Sequence, residues 1–400
     1  FNIVQPSTVF SKLGNTIGHE FLINAIDFSM SKTNASTSYE QSHSQIFSEV
    51  SVNSQLVNPV PEDWSSASGW GQVNVAKSLE LALPNYSFIQ TNEASDAPAY
   101  LKDMGFNYAW VNNFTGKGVV IADIDTGFDF HNIYLTKGID FSIYNWNFIS
   151  HNNNVQDDNG HGTMTASEMV ADPSTGFGIC GASFDAELMV LKALDASGKG
   201  SVTNVCEAIY YAVDHGADII NMSLGQNLAN TQLKSAIQYA WTHDVVVVAA
   251  AGNNSYSSPS FPAAYGGTFS NVIAVGASEN QDDVIELANF SNHAGGLIPY
   301  SYVTANGVDL IGFNADNTLC SWSGTSFSSP LVASQAAILE SANPTLTATQ
   351  IIQAITGSAD NLDKWMHTNN TNSHDTYLES NILNTHASVI QSVFPLEHSY

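Results

Sequence analysis

From about residue 100 onward, short uninterrupted apolar runs alternate with stretches whose apolar positions recur every three or four residues. Val119, Val120, Ile121 and Ile124 fill half of residues 118–125, and comparable runs follow at 188–191, 218–222, 245–251 and 272–275. A strand with one wet face alternates apolar and polar residues, so a continuous apolar run needs cover on both faces. Between the runs, Val205, Ala208, Ile209, Ala212 and Val213 repeat at helical spacing before a stop at Gly216, and Leu233, Ala236, Ile237, Ala240 and Trp241 do the same. Strands alternating with helices predict an α/β fold of three layers, a central mostly parallel sheet flanked by helices and joined by right-handed crossovers.

The first 93 residues read differently. They are rich in Ser, Asn and Gln, with a helical patch at 75–83 entered through a turn at Gly69-Trp70-Gly71-Gln72-Val73-Asn74, and residues 90–98 read as a linker. The expected division is therefore an N-terminal extension and linker at 1–93 and a large domain at 94–400, which a chain of 400 residues has room for.

Charge narrows the partners. Thirty-seven acidic residues against 10 basic ones give a net charge of -27, which argues against nucleic acid or an anionic membrane. The same surplus permits a structural calcium ion, at a site that acidity alone does not locate. No apolar run reaches the 18 or more residues of a membrane-spanning helix. Because the chain begins at Phe1 and not at Met, the lack of a signal peptide says nothing about secretion. Cys180, Cys206 and Cys320 allow at most one disulfide within the chain, and three buried free thiols are equally compatible. Sequons stand at Asn34, Asn85, Asn113, Asn221, Asn253, Asn289 and Asn369.

Three strings carry chemistry: Asp125-Thr126-Gly127, Asn159-Gly160-His161-Gly162-Thr163 and Gly324-Thr325-Ser326-Phe327-Ser328-Ser329-Pro330. They offer a carboxylate at the end of an apolar strand, an imidazole between two glycines, and a hydroxyl where a loop enters a helix expected at 327–341. A carboxylate that orients an imidazole, which in turn activates a hydroxyl, makes a serine nucleophile. Each residue alone has a plainer reading: Ser326 as a helix cap, His161 as one of twelve histidines, Asn253 as a turn residue in Gly252-Asn253-Asn254. Pro330 is expected near the helix start, where a missing donor matters least. Asp123 shares a strand face with Asp125. It is expected to be protonated, bonded to a neighbour or metal-bound, and to raise the proton affinity of Asp125 by like-charge repulsion.

The order Asp, His, Ser, together with Ala249-Ala250-Ala251-Gly252-Asn253, resembles the subtilisin-like serine proteases, over roughly residues 100–390. Asn343-Pro344-Thr345-Leu346-Thr347 before a helix, then Ile382-Leu383-Asn384, resembles the family's closing segment. The resemblance implies a serine endopeptidase acting on protein or peptide substrates, with Asp125, His161 and Ser326 as the triad. Asn253 and the Ser326 backbone N–H would form the oxyanion hole. It implies that Ser223, Leu224 and Gly225 pair with the substrate backbone, that Gly198 and Gly200 belong to the opposing strand, and that Ala251 and Gly252 help wall the primary pocket. With no acid among these residues, the preference at the residue before the scissile bond is expected to be apolar or broad. The enzyme is expected to be secreted, extracellular or periplasmic, and monomeric, with no cofactor in the chemistry. For residues 1–93 the resemblance leaves two readings, a non-catalytic extension packing on the protease domain and an inhibitory pro-domain; for the activity, the alternatives are a cytoplasmic processing enzyme and an inactive binding protein of the same fold. The family more usually has an apolar residue at position 123 and Met at position 327. The acid that often ligates calcium after the catalytic aspartate is missing, which leaves Asp157, Asp158 or the loop around Asp140 for an ion, or as ordinary solvated loop acids.

Overall fold

The computed structural model describes residues 2–4, 64–90, 97–132, 135, 144–175, 178–281, 284–295 and 300–362. The sequons at Asn34 and Asn369, the loop around Asp140, most of the expected linker and Ile382-Leu383-Asn384 lie outside the described residues. The elements in chain order are β1 (Asn2–Val4), α1 (Val75–Ala82), α2 (Ala99–Asp103), α3 (Phe106–Val111), β2 (Val120–Asp125), β3 (Trp146–Asn147) and α4 (His161–Val170). There follow β4 (Glu187–Lys192), β5 (Lys199–Ser201), α5 (Val202–Asp214), β6 (Ile219–Met222), α6 (Thr231–Thr242), β7 (Val246–Ala250) and β8 (Val272–Gln281). The last are β9 (Val284–Leu287), β10 (Tyr302–Asn306), β11 (Leu310–Phe313), β12 (Leu319–Trp322), α7 (Thr325–Ala342) and α8 (Ala348–Ser358).

The continuous apolar runs became the middle of one sheet. Its order is β10-β8-β7-β6-β2-β4-β3, with every neighbour parallel and β9 added antiparallel to β8. β2, β6 and β7 are buried almost throughout, as cover on both faces requires. α5 and α6 pack against each other, while α4, α7 and α8 gather elsewhere on the sheet. α5 turns Val202, Val205, Ala208, Ile209 and Ala212 inward, the stripe read from the sequence. α7 has no stripe, because every residue from Thr325 to Leu339 is buried. A helix that is apolar or small on all sides belongs inside the molecule.

β8 runs on to Gln281, past the expected 272–275, because its outer half leaves the body of the sheet to pair with β9. α7 begins at Thr325, two residues earlier than expected, and this puts Pro330 inside the helix, not at its entrance.

One unit comprises Phe1–Val4 with Asp63–Tyr400; the other, Gln5–Glu62, lies outside the described residues. α1 belongs to the large unit. Asn74 caps it by accepting from the Lys77 amide, and Val75 and Leu79 are wholly buried against α7 and α8. Removing two such side chains from water stabilises by about 1.5–3 kcal/mol each. Gln335 on α7 also donates to Ser78 (3.0 Å).

A parallel sheet brings the carboxyl ends of neighbouring strands to one edge, where loops can converge. Here β7, β6 and β2 are neighbours. Their ends deliver Gly252-Asn253, Ser223 and Asp125 side by side.

Candidate active site

Asp125 is the last residue of β2 and is 1% exposed. One carboxylate oxygen accepts from the Thr126 amide (2.6 Å). Both oxygens lie on Nδ1 of His161, at 2.8 and 2.9 Å. His161, also 1% exposed, opens α4. A carboxylate on Nδ1 fixes the tautomer, so Nε2 becomes the nitrogen that takes a proton.

The glycines explain how the two segments come so close. A Cβ on Gly162 would stand 2.2 Å from the carbonyl oxygen of Gly127. The Gly162 amide instead donates to the Thr126 hydroxyl (2.8 Å). Gly160, at φ 106°, would put a Cβ 1.8 Å from the side-chain oxygen of Asn314. Asp157 caps this entrance. Burial works against its charge, but the amides of Gly160, Asn159 and Thr163 and the Thr163 hydroxyl outweigh that and hold it below its ordinary value. It is therefore a buried structural acid, not a solvated one. Asp158 pairs with Lys192 (2.6 Å). Asp157 and Asp158 thus have partners of their own within the protein. Among the described residues no group of three His, Cys, Asp or Glu is placed to hold a metal.

Ser326 is the second residue of α7, so its N–H lies in the turn whose amides have no acceptor within the helix. Its hydroxyl donates to the carbonyl of Ser223 (3.2 Å). Its own carbonyl would normally accept from residue 330. That residue is Pro330, which has no N–H, and the Ser223 hydroxyl donates there instead (2.6 Å). Phe327 follows, with its ring 5.3 Å from that of His161, and Trp322 at the end of β12 stacks edgewise on both, 6.3 Å from His161 and 5.5 Å from Phe327.

Asn253 sits across the cleft and is exposed. Its side-chain oxygen accepts from both the amide and the hydroxyl of Thr325 (2.9 Å each). This fixes the orientation of the side-chain amide, because only the oxygen can accept. The NH₂ group is left as the donor on the cavity side.

Asn253, Thr325 and Ser326 line one cavity of about 210 Å³ with Leu224, Gly225, Asn227, Ala250, Gly252, Asn254 and Ser260. No charged side chain is among them. Leu224, Gly225 and Gly252 are thus at the cavity, but Ser223 is buried against the nucleophile's helix. Ala251 lies behind the wall, its amide on Val275 and its carbonyl on Ser260 and Asn292. Gly198 is in the turn before β5, and Gly200 is within the strand. β5 already carries an added strand: Asn2–Val4 pairs with Lys199–Ser201 in parallel register.

Asp123 is bonded to neighbours. It accepts from Asn221 (2.8 Å) and touches the Thr165 hydroxyl (2.8 Å). Sequence reasoning passed over Lys192, Trp322 and Thr325. Lys192 is buried, with its ammonium on the carbonyls of Thr126 and Leu194, where it pins the turn after Asp125. A lone lysine ending an apolar strand, in a chain with ten basic residues, was the available signal. All three cysteines are free, with Cys180 and Cys206 buried and Cys320 partly so. Burial pushes the first two thiols up to about 12.

The subtilase family model matches residues 116–381. Among known proteins, the thermophilic serine proteinase of Bacillus sp. (strain AK1) is 36% identical over 71% of this chain and 68% of its own length. Thermitase of Thermoactinomyces vulgaris is 34% identical over 62% of this chain and 83% of its own. Among solved structures, sphericase superposes with a TM-score of 0.56 at 30% identity, over 65% of this chain and 89% of that one.

Proposed function

The chain belongs to the subtilase family and is a serine endopeptidase, and from that premise we propose that Asp125, His161 and Ser326 perform the hydrolysis on extended peptides with a neutral residue before the scissile bond. The observation that carries this reading is the buried Asp125–His161 pair, held at 2.8 Å beside the first turn of the helix that bears Ser326.

In this mechanism His161 takes the Ser326 proton as the oxygen attacks the peptide carbonyl. The resulting oxyanion is bound by the side-chain NH₂ of Asn253 and the Ser326 N–H. Preorganised donors of this kind cost no reorganisation at the moment of reaction. Collapse expels the amine, which leaves with the proton from His161, and an ester on Ser326 remains. Water, activated by the same imidazole, hydrolyses the ester. Asp125 stays ionised throughout and stabilises the imidazolium. The uncharged cavity walls support an apolar or broad preference at the residue before the cleaved bond.

Two measurements test this. A fluorophosphonate should label the wild type and leave Ser326→Ala unlabelled; equal labelling of both would remove Ser326 from the mechanism. A cleavage profile over a peptide library should favour neutral residues before the cut, and dominance of paired basic sites would refute the specificity.

A further inference from the structure

Peptide hydrolysis as just described gives no part to Asp123, although it shares β2 with Asp125. It is 3% exposed, two residues before Asp125 on β2. Both of its oxygens are engaged, and the partners lead in opposite directions.

One side leads to the base. The Thr165 hydroxyl lies 2.8 Å from Asp123 Oδ2 and 2.9 Å from the carbonyl of Gly162, the residue after His161. A hydroxyl has one hydrogen, and a carbonyl can only accept. With Asp123 ionised the Thr165 hydrogen must be shared between the two oxygens, whereas a protonated Asp123 donates to Thr165 and leaves that hydrogen wholly to Gly162.

The other side leads to the nucleophile. Asn221 donates one amide hydrogen to Asp123 (2.8 Å) and the other to the Ser223 hydroxyl (3.1 Å), while Ser329 of α7 donates to the Asn221 oxygen (2.7 Å). Ser223 then donates to the Ser326 carbonyl that Pro330 leaves without a partner (2.6 Å). We propose that Asp123 is a positioning residue whose neutral carboxylic acid ties the first turn of α4, bearing His161, to the first turn of α7, bearing Ser326. The proposal rests on the reading of those two residues as base and nucleophile.

The surroundings agree. The titratable groups facing Asp123 are Asp125 on its own strand and Asp157 from the loop before α4. β4 and β6 set Val190 and Asn221 beside it in register, α4 offers Thr165, and α7 reaches it through Ser329 and Asn221, none of them charged. Among the described residues no cation is paired with Asp123. Burial first, then the charge of Asp125, pushes its pKa up to about 8, against the pull of Asn221 and Thr165. Loss of the proton forces Thr165 to share its hydrogen between Asp123 and Gly162. It also sets a second carboxylate beside the one that orients the base.

The test compares kcat and KM against pH on a chromogenic peptide for the wild type, Asp123→Asn and Asp123→Val, with active sites counted by fluorophosphonate titration. Asn can replace both bonds without ionising. Asp123→Asn should keep kcat within about threefold and lose the alkaline fall that the wild type shows as Asp123 ionises. Asp123→Val should lower kcat on the order of tenfold with KM little changed, the rate equivalent of one neutral buried hydrogen bond. An alkaline fall in Asp123→Asn matching the wild type would overturn the inference, as would an undiminished kcat in Asp123→Val. If the valine variant does not fold, the asparagine profile decides alone. Labelling of Ser326→Ala would instead overturn the assignment of the nucleophile, so the two failures are distinguishable.

Discussion

Replacing Ser223 by Ala should destabilise the protein, in part through the carbonyl oxygen of Ser326 and in part through the Asn221 amide, whose share is the same with or without Pro330. Ser223 is wholly buried and its hydroxyl is the donor to that carbonyl. Pro330 cannot substitute, for want of an N–H. A buried carbonyl left without a partner costs about 1–3 kcal/mol. The origin of the cost is testable because the proline that creates the vacancy can be changed. In Pro330→Ala the new amide can reach the Ser326 carbonyl at ordinary helical spacing, so Ser223→Ala should then cost less by about 1–2 kcal/mol. Any effect of Pro330→Ala alone cancels in the cycle. Urea unfolding of the four proteins, all carrying Ser326→Ala to prevent self-digestion, measures the coupling. That background keeps the backbone carbonyl in question. Equal costs of Ser223→Ala in both backgrounds would refute the reasoning. In the active protein the same cycle should appear in kcat, where about 1.4 kcal/mol corresponds to tenfold.

Other expectations follow from groups described above. Asp125→Asn should lower kcat by roughly 10⁴, the order found when the orienting carboxylate of a Ser-His-Asp triad is neutralised, with KM nearly unchanged in steady-state kinetics. Glu168, buried in α4 with the Tyr100 hydroxyl donating to it (2.8 Å), is pushed up to about 8, chiefly by burial. Its folded pKa is raised, so its contribution is intact below about 4.5 and is lost as pH rises through 8. Thermal unfolding of Ser326→Ala should weaken across that window by up to about 5 kcal/mol, and Glu168→Gln should flatten the trend. A thiol reagent at neutral pH should modify Cys320 readily in the folded protein, and reach Cys180 and Cys206 only after denaturation.

The parts legible in the sequence share one property: their local pattern was already sufficient. Fully apolar runs specify a doubly covered sheet whatever else the chain does. Gly160 and Gly162 flag His161 because close backbone approach leaves a mark in composition. Trp322 left none and Lys192 only its place at the end of an apolar strand, since each acts through contacts distant along the chain: Lys192 on the turn after Asp125, and Trp322 on the ring of His161. The role of Pro330 was misplaced for a related reason. Moving the start of α7 by two residues converts a harmless entrance position into one that takes a donor from the nucleophile's carbonyl. Helix ends are settled by tertiary capping, here Thr325 on Asn253, which single-sequence periodicity cannot see.

The meeting of Gly127 and Gly162 has a practical consequence for anyone who wishes to reshape this cleft. Main chain abuts main chain there, so the gap between acid and base is set by bond lengths instead of by how neighbouring side chains settle. Randomised libraries can explore the cavity wall at Leu224, Asn227 or Ser260 while that gap stays constant. A library that admits even alanine at position 162 would be sampling broken enzymes.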